Sequence, residues 1–234
     1  MSRQKCSGCY PGAVITEPGL RGRKKQQTRQ LIAETALRLF ARSGFDSVTV
    51  SQIARAANVS EGTVFNYFPT KESLVYHRME DYETALLDAV RQRQPGEPVL
   101  TAFRRFVIER SPAIAAAHAD KIVTTAARMI AASAALLARE REIIDSYTQS
   151  LAEAIAEETG KPPDDSEAWV AANALMGVHR AMISYARRRA LDGPSGDDLA
   201  AEIQSETERA LSRLGRGLGD YAILSPASAA RRTP

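Results

Sequence analysis

The sequence predicts an all-α protein: an N-terminal three-helix helix-turn-helix unit, a connector helix, and a larger helical body. Three observations carry this. Apolar residues recur at intervals of three and four along most of the chain, polar capping residues stand just before several of these stretches, and Pro- and Gly-bearing segments separate them. The densest information lies in residues 47–74, SVTVSQIARAANVSEGTVFNYFPTKESL.

Taken in order, the first helix is expected over 24–43, with Ile32, Ala36, Leu39 and Phe40 inward and Gly44 closing it. Thr49 then stands where an N-cap belongs, followed by Val50, Ile53, Ala54 and Ala57 on one face. Asn58 can take the left-handed conformation that ends a helix, Val59 plugs the corner, and Ser60 can cap the next helix. In that third helix Val64 and Phe68 lie four apart and inward, which turns Thr63, Asn66 and Tyr67 outward. Pro69 breaks the pattern and Thr70 caps one long connector reaching Arg93. After QPGEP at 94–98, a helix ending before Pro112 is expected, then one or two Ala-rich helices over 113–137 with a break near 118–120. Another runs over 139–159, stopped by Gly160, Pro162 and Pro163. The last two are expected over 166–191 and 197–216. The expected organisation is therefore an arm at 1–20, a reading head at 21–69, a body at 70–218 and a tail at 219–234.

The chain has 234 residues, 44% hydrophobic and 25% charged, which is ordinary globular composition with room for a proper core. Net charge is only +3, yet residues 21–68 hold eight basic side chains against three acidic ones. That asymmetry suits a module that approaches phosphates joined to one that does not. No apolar run is long enough to span a bilayer and the first residues lack the apolar core of a signal peptide, so a cytoplasmic protein without membrane contact is expected.

Enzyme chemistry finds no support. His77, His118 and His179 have no Glu-x-x-His spacing, and no glycine loop cradles phosphate. Cys6 and Cys9 form a lone CxxC in a Gly- and Pro-bearing leader, without the further ligands zinc needs. No catalytic residue, metal or cofactor is expected.

The outward face of the third helix has the form of a major-groove reader. Base contacts are expected from Ser51 and Gln52 at the start of the second helix and from Glu61, Gly62, Phe65 and Asn66 on the third. Gly62 permits close approach to the groove floor, and Asn66 can pair with adenine. One helix in one groove reads too few base pairs for useful specificity, so a second copy is expected. The last two helices are the candidate seam, through Trp169, Leu175, Met182, Ile183, Ile203, Leu211 and Leu214. Ala between larger residues leaves volume in the body, and an effector cavity is expected among Phe103, Phe106, Met129, Ile130, Leu136, Tyr147, Leu151, Met176 and His179. A body that binds a protein partner instead is the alternative.

RKKQQTRQLIAETALRLFARSGFDSVTV and VSEGTVFNYFPTKESL resemble the TetR family of one-component regulators. The resemblance implies a homodimeric repressor on a palindromic double-stranded DNA operator, released by a small molecule. It also implies that Thr63, Tyr67 and Lys71 clamp phosphate, with Thr49 and Arg23 adding to the clamp. Further on, REREIIDSYTQSLAEAIAEETG and WVAANALMGVHRAMISYARRRALDG look like the branch related to the mycofactocin-system regulator. That branch implies an acyl-CoA-like effector, with Arg128, Arg180 and Arg187 to Arg189 toward its phosphates.

Overall fold

The computed structural model describes residues 20–119, 121–192 and 197–218. Among these, ten α-helices follow one another without a strand: α1 (Leu20–Ser43), α2 (Val50–Ala56), α3 (Glu61–Tyr67), α4 (Lys71–Val75), α5 (Met79–Arg91), α6 (Val99–Ala119), α7 (Lys121–Ala132), α8 (Ala134–Thr159), α9 (Ser166–Asp192) and α10 (Asp197–Leu218). The tail and all but the last residue of the arm, including Cys6 and Cys9, lie outside the described residues.

Local chemistry explains where the early helices start. Thr49 Oγ1 accepts the Gln52 amide at 3.2 Å while Gln52 Oε1 accepts the Thr49 amide at 2.8 Å, a reciprocal cap that fixes the start of α2. Ser60 Oγ accepts the Thr63 amide at 3.0 Å and starts α3. Between them Asn58 sits at φ 54°, so the corner turns through the left-handed region as its residue type allows. Gly160, at φ 69°, ends α8 in the same way.

Several boundaries differ from expectation. α1 begins at Leu20 rather than 24, and α8 begins at Ala134, five residues early, because Ser133 Oγ accepts the Leu136 amide. The single connector is broken into α4 and α5 around His77. The partners lie far off in sequence: Arg29 Nη1 donates to the His77 carbonyl at 3.1 Å, and the Tyr76 hydroxyl donates to the Leu136 carbonyl at 3.0 Å. α6 continues through Pro112 instead of ending before it. A proline withdraws one amide from the ladder, and the turns on either side still hold the remaining bonds.

Two large apolar cores and a small cluster of Ala186, Leu199 and Ile203 between α9 and α10 result among the described residues. The first gathers Ile32, Ala36, Phe40, Phe45, Ile53, Val64, Phe68 and Leu74 from α1 to α4, and it is completed by Leu136 of α8 with Met129 and Ile130 of α7 against it. The second joins α5, α6, α8, α9 and α10 through Leu86, Phe103, Phe106, Ile144, Leu151, Ile155, Leu175 and Leu211. The head core thus borrows residues from α7 and α8.

Three expected effector-lining residues are consequently relocated. Met129, Ile130 and Leu136 pack on the reading head, because α7 lies against α1. Phe103, Phe106, Tyr147, Leu151, Met176 and His179 do converge inside the body, where each is nearly or fully buried. The expected seam also changes. Leu175 and Leu211 are 0% exposed and Ile203 is buried against Ala186 and Leu199, so these three hold the protomer together and cannot meet a partner. Trp169, Ile183 and Leu214 are half-buried against the body core, and Met182 is half-buried.

His179 carries a pH consequence. Its Nδ1 shares a hydrogen bond of 3.2 Å with the Tyr82 hydroxyl, beside the rings of Phe106 and Tyr147 on Tyr82. Burial lowers its pKa to about 4. The unfolded chain therefore takes up this proton first as pH falls, so the stabilisation is whole above pH 6.5 and is lost progressively toward pH 4. Unfolding in urea at pH 7.5 and pH 5 is expected to show a loss of about 2 kcal/mol from this group. His179→Gln, which keeps an acceptor but binds no proton, should lose that slope; an equal slope in the variant would assign it elsewhere.

Candidate nucleic-acid interface

The reading surface is built on α2 and α3, held at a fixed angle by the corner at Asn58 and by Val59, whose amide donates to the Ala54 carbonyl at 2.9 Å. Val64 and Phe68 point into the head core at 1% exposure. By helical geometry their burial turns Glu61, Gly62, Phe65 and Asn66 to the outside, and all four are exposed. Phe65 is 48% exposed, one of three large apolar side chains left in water among the described residues. The expected base-reading face of α3 is thereby brought together on one surface.

The residues expected around it sort differently. Thr49 and Gln52 are exposed, but their side chains are spent on one another in the cap of α2. Ser51 is half-buried. Thr63 is half-buried and its hydroxyl pairs with Ser60 Oγ at 2.8 Å. Tyr67 packs partly on the head core. Lys71 is the largest departure: its ammonium donates to the Phe45 carbonyl at 2.9 Å and the Val48 carbonyl at 3.2 Å, and lies 4.2 Å from the centre of the Phe45 ring. Two of its three protons are thus occupied in tying α4 to the loop before α2. Arg23 is exposed on the first turns of α1, next to exposed Arg21, Lys24 and Lys25.

Sequence reasoning missed Arg29. It holds both the His77 carbonyl and, at 5.3 Å, the face of the Phe68 ring, so it fixes α3 and the α4–α5 break to α1. Its position one turn before Ile32 on the inward side of α1 was the available signal.

Gly62 separates folding from reading. A Cβ placed there would meet only Ser60 Oγ, at 3.8 Å, so nothing in the protein requires a glycine. Gly62→Ala should raise stability by about 0.4–1 kcal/mol through helix propensity. It should weaken DNA binding, since the added methyl projects from the exposed face of α3. Thermal melts and a DNA titration of the same sample check both signs, and unchanged DNA affinity would show that α3 does not approach closely here.

Family comparisons agree with this geometry. Residues 32–77 match the model described as bacterial regulatory proteins, tetR family, and residues 97–219 match that of the MftR C-terminal domain. TcmR of Streptomyces glaucescens, an HTH-type transcriptional regulator, is 39% identical over 85 residues, covering 36% of this chain and 38% of that protein. A regulator named for mycofactocin biosynthesis, MftR of Mycobacterium tuberculosis, is 29% identical over 136 residues, 54% of this chain and 66% of its own length. The chain thus spans less than two thirds of these relatives. Among solved structures, NalD of Pseudomonas aeruginosa superposes with a TM-score of 0.53 at 18% identity, over 82% of this chain and 98% of that one. FadR of Bacillus subtilis, in complex with stearoyl-CoA, gives 0.50 at 18% identity, over 78% and 97%. With both the reading head and more than half of the chain matched, the protein belongs to the tetR family of bacterial regulatory proteins, which are DNA-binding transcriptional regulators rather than enzymes.

Proposed function

We propose that the protein is a homodimeric repressor of a near-palindromic operator, released by a small molecule bound in its C-terminal body and acting in the cytoplasm. The observation that carries it is the exposed face of α3, Glu61, Gly62, Phe65 and Asn66, set on a closed core in the most basic part of the chain. Arg23 and its basic neighbours on α1 supply the phosphate attraction, with Tyr67 and Thr63 beside α3. The partner copy packs against α9, whose outer face shows Val170 at 64% exposure together with Asn173, Gly177 and Ala181. Small side chains there let two helices approach closely. α10, by contrast, presents Gln204, Ser205, Arg209, Ser212 and Arg213.

The effector of this reading is acyl-CoA-like. Support comes from the match to the MftR C-terminal model, and the ligand named for the FadR neighbour is said of FadR. Of the arginines expected at its phosphates, Arg180 pairs with Asp145, Arg187 with Glu140 and Arg189 with Glu202. Arg128 and Arg188 remain exposed for that role.

Selection of bound fragments from a random DNA pool tests the reading, with light scattering of the free and bound protein. Two half-sites about 34–36 Å apart and a dimer are expected. A monomer that protects a single half-site would overturn it. Titration of long-chain acyl-CoA against the bound operator then tests the effector, and full retention of DNA at saturation would remove that class of ligand.

A further inference from the structure

We propose that Phe65 reads the 5-methyl group of a thymine and, together with Asn66, makes α3 a reader of A·T pairs. This rests on the DNA-reading role of α3 and names what that face recognises. Phe65 has no fold-stabilising explanation: Val64 and Phe68, on either side of it, already fill the inward face at 1% exposure, and Phe65 is absent from the head core. A ring left 48% in water is a standing cost unless something apolar covers it. In a major groove the one apolar group on a base edge is the thymine methyl.

The rest of the face excludes the commonest alternative. Glu61–Tyr67 contains no Lys or Arg, so α3 has no bidentate partner for guanine O6 and N7. It offers instead the Asn66 amide, which matches adenine N6 and N7, while the Glu61 carboxylate is an acceptor only, able to take a hydrogen bond from adenine N6 or cytosine N4 but to give none to guanine O6 and N7. Gly62 lies one turn before Phe65 and Asn66 on the same side, with nothing nearer than Ser60 Oγ to a side chain built there. The missing side chain lets α3 sink until the ring reaches a methyl rather than stopping at the sugar edge.

The test uses the full chain and the operator that the wild-type protein selects from a random pool. Each thymine is replaced in turn by deoxyuridine, which removes only the methyl, and affinity is measured at fixed salt. One thymine in each half-site is expected to lose about three- to tenfold on demethylation, the scale of one buried methyl or slightly more. Phe65→Ala should bind thymine and uracil there equally, with an unchanged thermal midpoint, and Phe65→Leu should restore part of the preference. Tolerance of uracil at every position would overturn the proposal, as would a thymine preference that survives in Phe65→Ala. Recovery of no sequence from the pool would remove the operator reading, and this proposal with it.

Discussion

Glu158→Gln is expected to destabilise the protein by about 3 to 5 kcal/mol, the largest single effect outside the apolar cores. Glu158, in the last turns of α8, meets Arg93, just beyond α5, and both side chains are excluded from water, at 1% and 0% exposure. Arg93 also donates from Nη1 to the Val90 carbonyl at 2.7 Å and from Nε to the Glu97 carbonyl at 3.1 Å. The guanidinium thus gathers the end of α5, the turn before α6 and α8 at one point. Removing the carboxylate charge leaves a buried cation facing a neutral amide, and the desolvation already incurred is no longer offset. The double variant Arg93→Met/Glu158→Leu should recover most of the loss, because a volume-matched apolar pair carries no desolvation penalty. Urea unfolding of the two variants checks this; a loss below about 1 kcal/mol for Glu158→Gln would mean that water reaches the pair.

Leu136→Ala should cost about 2.7 to 5 kcal/mol, the range for a fully buried leucine whose site cannot collapse. The side chain is 0% exposed and belongs to the head core, although it is carried by α8. Collapse is restricted because the neighbouring backbone is fixed twice, by the Tyr76 hydroxyl on the Leu136 carbonyl and by Ser133 on its amide. The loss should appear in one cooperative transition, since a residue of the body fills a cavity in the head. Two separated transitions, with only the first shifted, would show instead that the head melts by itself.

What could be read in the sequence followed the range of the interaction. Thr49, Asn58, Ser60 and Gly160 act on amides within a few residues, and their roles in the corner and caps are visible in the string itself. The α4–α5 break was invisible because residues 75–79 hold neither Gly nor Pro; the chain opens there to give its His77 carbonyl to Arg29, 48 positions earlier. Pro112 misled in the opposite sense, as a residue that usually ends a helix but does not here. The face of α3 was legible because Val64 and Phe68 fix it by periodicity. The outward strip of α9 was not: apolar residues stand around much of its circumference, and periodicity alone could not tell Leu175, turned inward, from Val170, turned out.

The basic residues and the exposed α3 face occupy different helices, and this has a consequence for how such a protein travels and diverges. Arg21, Arg23, Lys24 and Lys25 stand on α1, whereas α3 has no cation at all. On the proposed reading, attraction to any stretch of duplex, and hence the search along a genome, depends on the first set and falls with salt. Where the search stops depends on the second. Substitutions in α3 can therefore give a descendant a new address without altering its speed of arrival, and changes in α1 can retune residence on bulk chromosome while the address stays the same.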